Sequence, residues 1–150
     1  MGRWGTVRDV EGTPTPQFGQ VTVDSTHPRA SAEFWRQLLG LVYRSGQEPP
    51  EPGLDDPAGR DWLNLLSPSG ERRLAFQHVD ELPRATWPSP LIPQQLHLDL
   101  TVSSVEELHA VRSRIEELGG ALAFDRSGSA EEPLYVFTDL DGHPFCVFVV

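Results

Sequence analysis

Residues 95–119 read QLHLDLTVSSVEELHAVRSRIEELG, and this stretch carries the clearest structural pattern in the chain. Leucine alternates with polar residues from 96 to 100, which predicts a strand with one buried face. Ser104 and Glu107 have the spacing of a helical capping box, so the same stretch predicts a helix over Ser104 to Leu118. That helix would bury an apolar stripe that comprises Leu108, Val111, Ile115 and Leu118.

Residues 20–40 read QVTVDSTHPRASAEFWRQLLG and repeat the same order of strand and helix. Valine alternates with polar residues at the start, which predicts a strand over Phe18 to Ser25. Pro28 fits the first turn of a helix, because the N–H that proline lacks would be unpaired there in any case. The apolar residues that follow recur at helical spacing, so we predict a helix over about Arg29 to Leu39.

Each predicted helix is followed by short alternating segments that indicate further strands. The sequence predicts these strands at Trp62–Leu66, Arg73–Val79, Ala121–Asp125, Leu134–Thr138 and Pro144–Val150. Proline-rich segments predict an exposed acidic loop at 45–60 and a linker at 81–93. The chain therefore repeats one unit of mixed helix and strands, in modules at 18–80 and 94–150 that follow a flexible tail at 1–17.

Length and composition limit the classes of function. A chain of 150 residues, 38% of them hydrophobic, suits one globular domain. The net charge of -10 disfavours nucleic acid as a partner, and the absence of lysine excludes enzymes that need a Schiff base. Cys146 is the single cysteine, which excludes an intrachain disulfide and a cysteine-rich zinc site. We expect a cytoplasmic protein with no membrane partner, because the sequence contains neither a secretory signal nor an apolar run of roughly 20 residues.

Four segments together resemble the glyoxalase, bleomycin-resistance and extradiol-dioxygenase proteins of the vicinal oxygen chelate superfamily. They are VTVDSTHPRASAEFWRQLLG (21–40), RLAFQHV (73–79), LHLDLTVSSVEELHAVRSRIEELGG (96–120) and VFTDLDGHPFCVFVV (136–150). The resemblance covers about residues 18–150, nearly the whole chain. It implies an α+β fold of two repeated β-α-β-β-β modules whose curved sheets enclose a cleft, and it implies a homodimer.

In metal-dependent members of this superfamily, the first strand of each module usually gives a His ligand and the last strand usually gives a Glu. The resemblance carries three of these positions onto Gln20, His97 and Cys146, and the fourth onto Gln77, or onto Ala75 if the register shifts by two. Only His97 is of the expected type. Neutral amides bring no charge to a dication and a buried thiol resists losing its proton, so we predict no bound metal and no other cofactor.

The candidate site residues follow from the strand faces and from this resemblance. His97 and Asp99 share one strand face and are the candidate catalytic residues, although a hydrogen-bonded structural histidine would have the same pattern. The candidate ligand-binding residues are Gln20, Thr22, Trp62, Gln77, Cys146 and Phe148. Cys146 equally fits a small buried hydrophobe, and aromatic residues at alternating positions equally fit the core. His143 lies in a turn and is expected to be solvated.

Three functions stay open at the level of sequence. The first is a binding module that holds a small organic molecule in the cleft without a metal, and the missing carboxylates favour it. The second is a lyase, isomerase or dioxygenase that acts through His97 and Asp99 or through a non-standard metal site. The third is an interaction protein whose cleft is vestigial. The sequence has no P-loop, dinucleotide, zinc-protease or serine-hydrolase motif, which removes the main support for those classes.

Overall fold

The computed structural model describes residue 14 and residues 16–150. The predicted tail at 1–17 therefore lies mostly outside the described residues. The first half contains β1 (Val21–Ser25), α1 (Pro28–Leu39), β2 (Val42–Tyr43), a 3-10 turn (Ala58–Arg60), β3 (Trp62–Leu66) and β4 (Arg72–His78). The second half contains β5 (Leu98–Val102), α2 (Val105–Glu117), β6 (Ala121–Asp125), β7 (Leu134–Thr138) and β8 (Pro144–Val149). Within the described residues, no helix is long and apolar enough to cross a membrane.

Each half is a four-stranded mixed sheet with one helix. The strand order is β1-β4-β3-β2 in the first sheet and β5-β8-β7-β6 in the second. In both sheets the first strand pairs parallel to the last strand, and the other neighbours pair antiparallel. This topology confirms the predicted α+β fold of two similar β-α-β-β-β halves.

The two helices begin and end largely as their sequences predict. Ser104 caps α2 by accepting a hydrogen bond from the Glu107 N–H at 3.2 Å, which satisfies a free donor of the first turn. In a capping box the Glu107 carboxylate would accept from the Ser104 N–H. Here it accepts from the N–H of the preceding residue, Ser103, at 2.9 Å. Helix α1 has Pro28 in its first turn and ends at Gly40, whose φ of 64° lies in the left-handed region that glycine adopts without strain.

A shared hydrophobic cluster joins the two halves. Its fully buried members come from both sheets and both helices and include Leu63, Phe76, Leu108, Ile115, Phe137 and Val147. Phe34 and Trp35 of α1 reach the second half, where their rings lie 6.2 and 4.9 Å from the ring of Phe145, centroid to centroid. Burial of one such side chain stabilises the fold by about 1.5–3 kcal/mol, so this contact holds the halves together.

Three local features differ from the sequence predictions or add to them. Strand β1 begins at Val21 rather than at Phe18, whose side chain is exposed. Strand β2 was not predicted, because two residues are too few for alternation to be recognised. The acidic loop is attached to the fold by Arg29, which donates to both carboxylate oxygens of Asp56, at 2.8 and 2.9 Å, and to the Gln47 carbonyl at 2.8 Å.

Candidate ligand-binding site

Each sheet has one face turned away from the shared cluster, and we call these two surfaces the site faces. Strand alternation in β1 directs its valines toward the cluster and leaves Thr22 on the site face. Thr22 lies opposite Ala75, and Ala75 lies opposite Asn64, so these residues form one row across the first sheet. The corresponding row of the second sheet consists of Asp99, Cys146 and Val136.

The register decides between the two residues of β4 that the sequence left open. Parallel pairing puts Thr22 opposite Ala75 in the first sheet and Asp99 opposite Cys146 in the second. Thr22 and Asp99 are equivalent positions of the repeat, because each is the second site-face residue of its module. Ala75 is therefore the counterpart of Cys146, and the fourth superfamily ligand position falls on a side chain with no donor atom.

Gln77 occupies the next row of the first site face, opposite Asp24 on β1 and opposite Trp62 on β3. Phe148 has the equivalent place in the second sheet, opposite Thr101. Both side chains are at least partly exposed, so a ligand that lies along a site face can reach them. Their predicted role in ligand binding stays a prediction.

Gln20 is held by a polar network that sequence reasoning missed. Its Nε2 donates to Asn64 Oδ1 at 3.3 Å, and Trp62 Nε1 donates to the same oxygen at 3.1 Å. The Asn64 N–H and Nδ2 donate to Gln47 Oε1 at 2.8 and 3.1 Å, which fixes the orientation of both side-chain amides. Gln20 Oε1 is buried and has no partner among the described residues. Asn64 is the one polar residue in the strand sequence WLNLL, and a polar residue among apolar ones was the sequence signal that could have predicted this network.

His97, Asp99 and Cys146 lie together on the second site face. His97 Nε2 is 3.3 Å from Asp99 Oδ1, and one donor atom from each of the three residues lies within 4.8 Å of the other two. Burial raises the pKa of the Cys146 thiol, and the negative charge of Asp99 raises this pKa further. The side chains of His97 and Asp99 are 41% and 56% exposed, so a ligand can approach both.

The residues at these positions do not fit a tightly bound divalent ion. Ala75 has no donor atom and Gln20 brings only a neutral amide. The raised pKa of Cys146 adds to the cost of metal binding, because a metal binds the thiolate and must displace the thiol proton. His97 and Asp99 are the two donors that need no such displacement, whereas zinc sites use three or four protein ligands.

A cavity of about 220 Å³ opens where the edge strand β1, the start of β5 and the linker meet. It brings together two of the predicted site residues, Thr22 and His97, and adds Asp24 and His143. Its apolar lining includes Val23, Trp35, Leu82, Pro83, Leu98 and Pro144. The predicted site residues outside this lining are Gln20, Trp62, Gln77, Asp99, Cys146 and Phe148.

The turn between β7 and β8 borders the cavity and contains two buried carboxylates. Asp141 accepts hydrogen bonds from the Thr26 N–H at 3.2 Å, from Thr26 Oγ1 at 3.1 Å and from the Ser31 hydroxyl. Burial raises the pKa of Asp141, but hydrogen bonds from Ser25, Ser31 and Thr26 outweigh burial and hold this pKa below its ordinary value. These bonds tie the turn of the second half to the beginning of α1.

His143 corrects a sequence expectation. It was expected to be a solvated turn residue, yet its side chain is 31% exposed and its Nδ1 lies 3.0 Å from both carboxylate oxygens of Asp139. Asp139 is 2% exposed and also accepts from Trp35 Nε1 at 3.1 Å. Burial lowers the pKa of His143, but the hydrogen bond and charge of Asp139, with the charges of Asp141 and Asp24, raise it above its ordinary value overall.

Comparison with known proteins agrees with this architecture. A sequence profile described as a glyoxalase-like domain matches residues 20–148. The chain belongs to the glyoxalase-like domain family. Among curated proteins, no sequence matches this glyoxalase-like chain.

Several solved structures share the fold of this glyoxalase-like protein. FosX, the fosfomycin resistance protein of Listeria monocytogenes, superposes with a TM-score of 0.63 at 16% identity, covering 91% of this chain and 95% of FosX. A glyoxalase/bleomycin resistance protein/dioxygenase family enzyme from Burkholderia phytofirmans PsJN gives 0.62 at 12% identity, covering 88% and 97%. A glyoxalase/bleomycin resistance protein from Albidiferax ferrireducens T118 gives 0.55 at 18% identity, covering 89% and 98%. Identities this low show a common fold and no common activity.

Proposed function

We propose that this glyoxalase-like protein binds a small organic molecule without a metal ion, in the cavity lined by Thr22 and His97. One observation carries the proposal. The cavity offers open volume with a mainly apolar lining, whereas the positions that would hold a metal contain one imidazole, one amide, one thiol of raised pKa and one alanine. Ligand pockets are usually apolar concavities in which a few polar groups orient the ligand. Thr22 and His97 are such groups here.

The site faces beside the cavity offer further polar contacts. Gln20 Oε1 is buried without a partner among the described residues, which costs about 1–3 kcal/mol, and a ligand N–H or O–H that reached this oxygen would remove that cost. Asp99 is exposed and adds an acceptor on the other face. A ligand larger than the cavity would extend toward Trp62 and Gln77 on one side and Cys146 and Phe148 on the other.

One structural neighbour supports the small-molecule part of the proposal. A FosX variant was solved in complex with Mn(II) and 1S,2S-dihydroxypropylphosphonic acid. That complex contains a metal, which the donor set of the present chain does not fit. We therefore carry over only the binding of a small organic molecule.

The experiment that tests the proposal is a fragment screen followed by amide chemical shifts. We expect fragments that bind to shift the amides of Thr22, Val23 and His97, in protein that contains no metal. Ala85→Trp places an indole in the cavity lining and should abolish these shifts, whereas Ala110→Trp on the exposed side of α2 should preserve them. Binding that persists in Ala85→Trp, or that requires an added divalent ion, contradicts the proposal.

We further propose that the protein acts in the cytoplasm as a homodimer, without nucleic acid or membrane partners. The net charge of -10 opposes contact with polyanions. Strands β1, β2, β5 and β6 lie at the edges of their sheets, and an unpaired edge favours association with a second copy.

An enzyme of the lyase, isomerase or dioxygenase kind is the second candidate, and one observation favours it. His97 Nε2 lies 3.3 Å from Asp99 Oδ1, and a carboxylate at this distance can orient an imidazole for proton transfer. The His97→Ala and Asp99→Asn variants distinguish the candidates. A binding module loses affinity in steps with each lost contact, whereas an enzyme loses turnover with little loss of affinity.

A further inference from the structure

The tautomer of His143 is fixed by its surroundings. Asp139 Oδ1 accepts from the N–H groups of Asp141 and His143, at 3.1 and 2.9 Å, and Oδ2 accepts from Trp35 Nε1 at 3.1 Å. These three donors cannot reverse their roles, so both carboxylate oxygens act as acceptors. His143 Nδ1, at 3.0 Å from both oxygens, must therefore carry the proton that it shares with Asp139.

The second ring nitrogen of His143 is not fully buried. No described residue makes a hydrogen bond to Nε2, and this atom is not among the buried polar atoms that lack a partner. The side chain lines the cavity together with Thr22 and Asp24. In the neutral ring with its proton on Nδ1, Nε2 carries the lone pair that can accept a proton, and we place Nε2 at the cavity wall because His143 lines the cavity while Nδ1 is turned to Asp139.

The groups around this ring make Nε2 a stronger base than free imidazole. The turn contributes Asp139 and Asp141, and β1 contributes Asp24; all three stabilise the imidazolium. His97 lines the same cavity at the start of β5, and Arg84 of the linker donates to the Leu140 carbonyl at 3.0 Å. Burial of the ring opposes the three carboxylates, and the pKa of His143 is raised overall.

The cavity favours an uncharged ligand. Its lining is mainly apolar, and the three carboxylates near His143 repel an anion. Its volume of about 220 Å³ limits the ligand to a small molecule.

We propose that Asp139 and His143 form a proton-accepting dyad at the cavity wall, and that the cavity takes a small uncharged organic molecule with an acidic proton that His143 Nε2 removes. Asp139 holds the Nδ1 proton, so the abstracted proton goes to Nε2 and the bond pair stays with the ligand. This inference rests on the proposed function only in that a small molecule must enter the cavity.

The test uses 5-nitrobenzisoxazole as a probe, because a base converts it in one step. The base takes the proton from carbon, the C–H electron pair forms the nitrile, and the N–O bond breaks to give 2-cyano-4-nitrophenolate. A positioned general base contributes about 100-fold or more, so we expect the protein to exceed 4-methylimidazole at equal concentration by at least about that factor. The rate should rise with pH as His143 loses its proton. The conversion rate should fall to the level of 4-methylimidazole in His143→Gln. The His78→Gln variant should retain the rate of the natural protein, because His78 is an exposed residue outside the cavity.

Amide shifts at Thr22 and Val23 measure probe binding separately from probe conversion. Binding without conversion above the level of 4-methylimidazole, or conversion unchanged in His143→Gln, overturns the dyad and leaves the proposed function intact. Absence of probe binding at the cavity overturns the dyad with its uncharged ligand, and the fragment screen then decides the proposed function separately. Two-bond ¹H–¹⁵N spectra of the unmodified protein give a readout that needs no variant. The proton on Nδ1 of neutral His143 supports the dyad, and the proton on Nε2 overturns it.

Discussion

Asp139→Asn should destabilise the protein by about 3–5 kcal/mol. The asparagine oxygen can keep the two backbone N–H donors that Oδ1 accepts, so its amide nitrogen must replace Oδ2. That nitrogen then faces Trp35 Nε1, another donor, in a place where Asp139 is 2% exposed. A buried donor without an acceptor costs about 1–3 kcal/mol, and the lost charge-assisted bond to His143 costs about 1.5–3 kcal/mol more.

The assay is urea denaturation of the single variants and of a double-mutant cycle. Trp35→Phe removes the indole N–H, so Asp139→Asn on that background should cost about 1–3 kcal/mol less than in the natural sequence. Asp80→Asn, at an exposed residue directly before the linker, serves as the control and should lie within about 0.5 kcal/mol of the natural sequence. A loss below about 1 kcal/mol for Asp139→Asn, or strict additivity in the cycle, would refute the reasoning.

Three further predictions concern packing, pH and assembly. Ile115→Ala should cost about 2–5 kcal/mol, because this side chain is fully buried in the shared cluster, and an unchanged denaturation midpoint would contradict that packing. His143 has a raised pKa in the folded state, so protonated His143 stabilises the fold. This stabilisation should be complete below the unfolded-state pKa of His143 and should disappear as the pH rises through its folded-state pKa. Urea midpoints of the natural protein and of His143→Gln, measured across pH, check the sign. Light scattering should give twice the chain mass of 16.7 kDa, and the monomer mass across micromolar concentrations would count against the dimer.

The parts of the fold with local sequence patterns could be predicted. Helix α2 combines a cap at Ser104 with a regular apolar stripe, and both features are local to its own residues. Strand β2 could not be predicted, because a strand of two residues is too short to show an alternation of polar and apolar side chains. The register of β1 on β4, which makes Ala75 rather than Gln77 the counterpart of Cys146, depends on pairing between distant segments.

The candidate site was predictable only where it follows strand alternation. His97 and Asp99 were found because alternate residues share a face, and they lie 3.3 Å apart. The dyad of Asp139 and His143 was missed, since Asp139 is bound in the interior by Trp35, which is 104 positions away in sequence. A contact between residues this far apart leaves no periodic pattern in the sequence, so His143, in a turn, was expected to be solvated.

Elemental analysis of the purified protein, prepared without chelator and dialysed gently, tests the central claim most directly. The account predicts far less than one equivalent of any divalent metal, because Gln20 and Ala75 offer no charged donor and the Cys146 thiol resists losing its proton. Nearly one equivalent of nickel, iron, manganese or zinc, lost in His97→Ala, would contradict metal-free binding and would favour the enzyme.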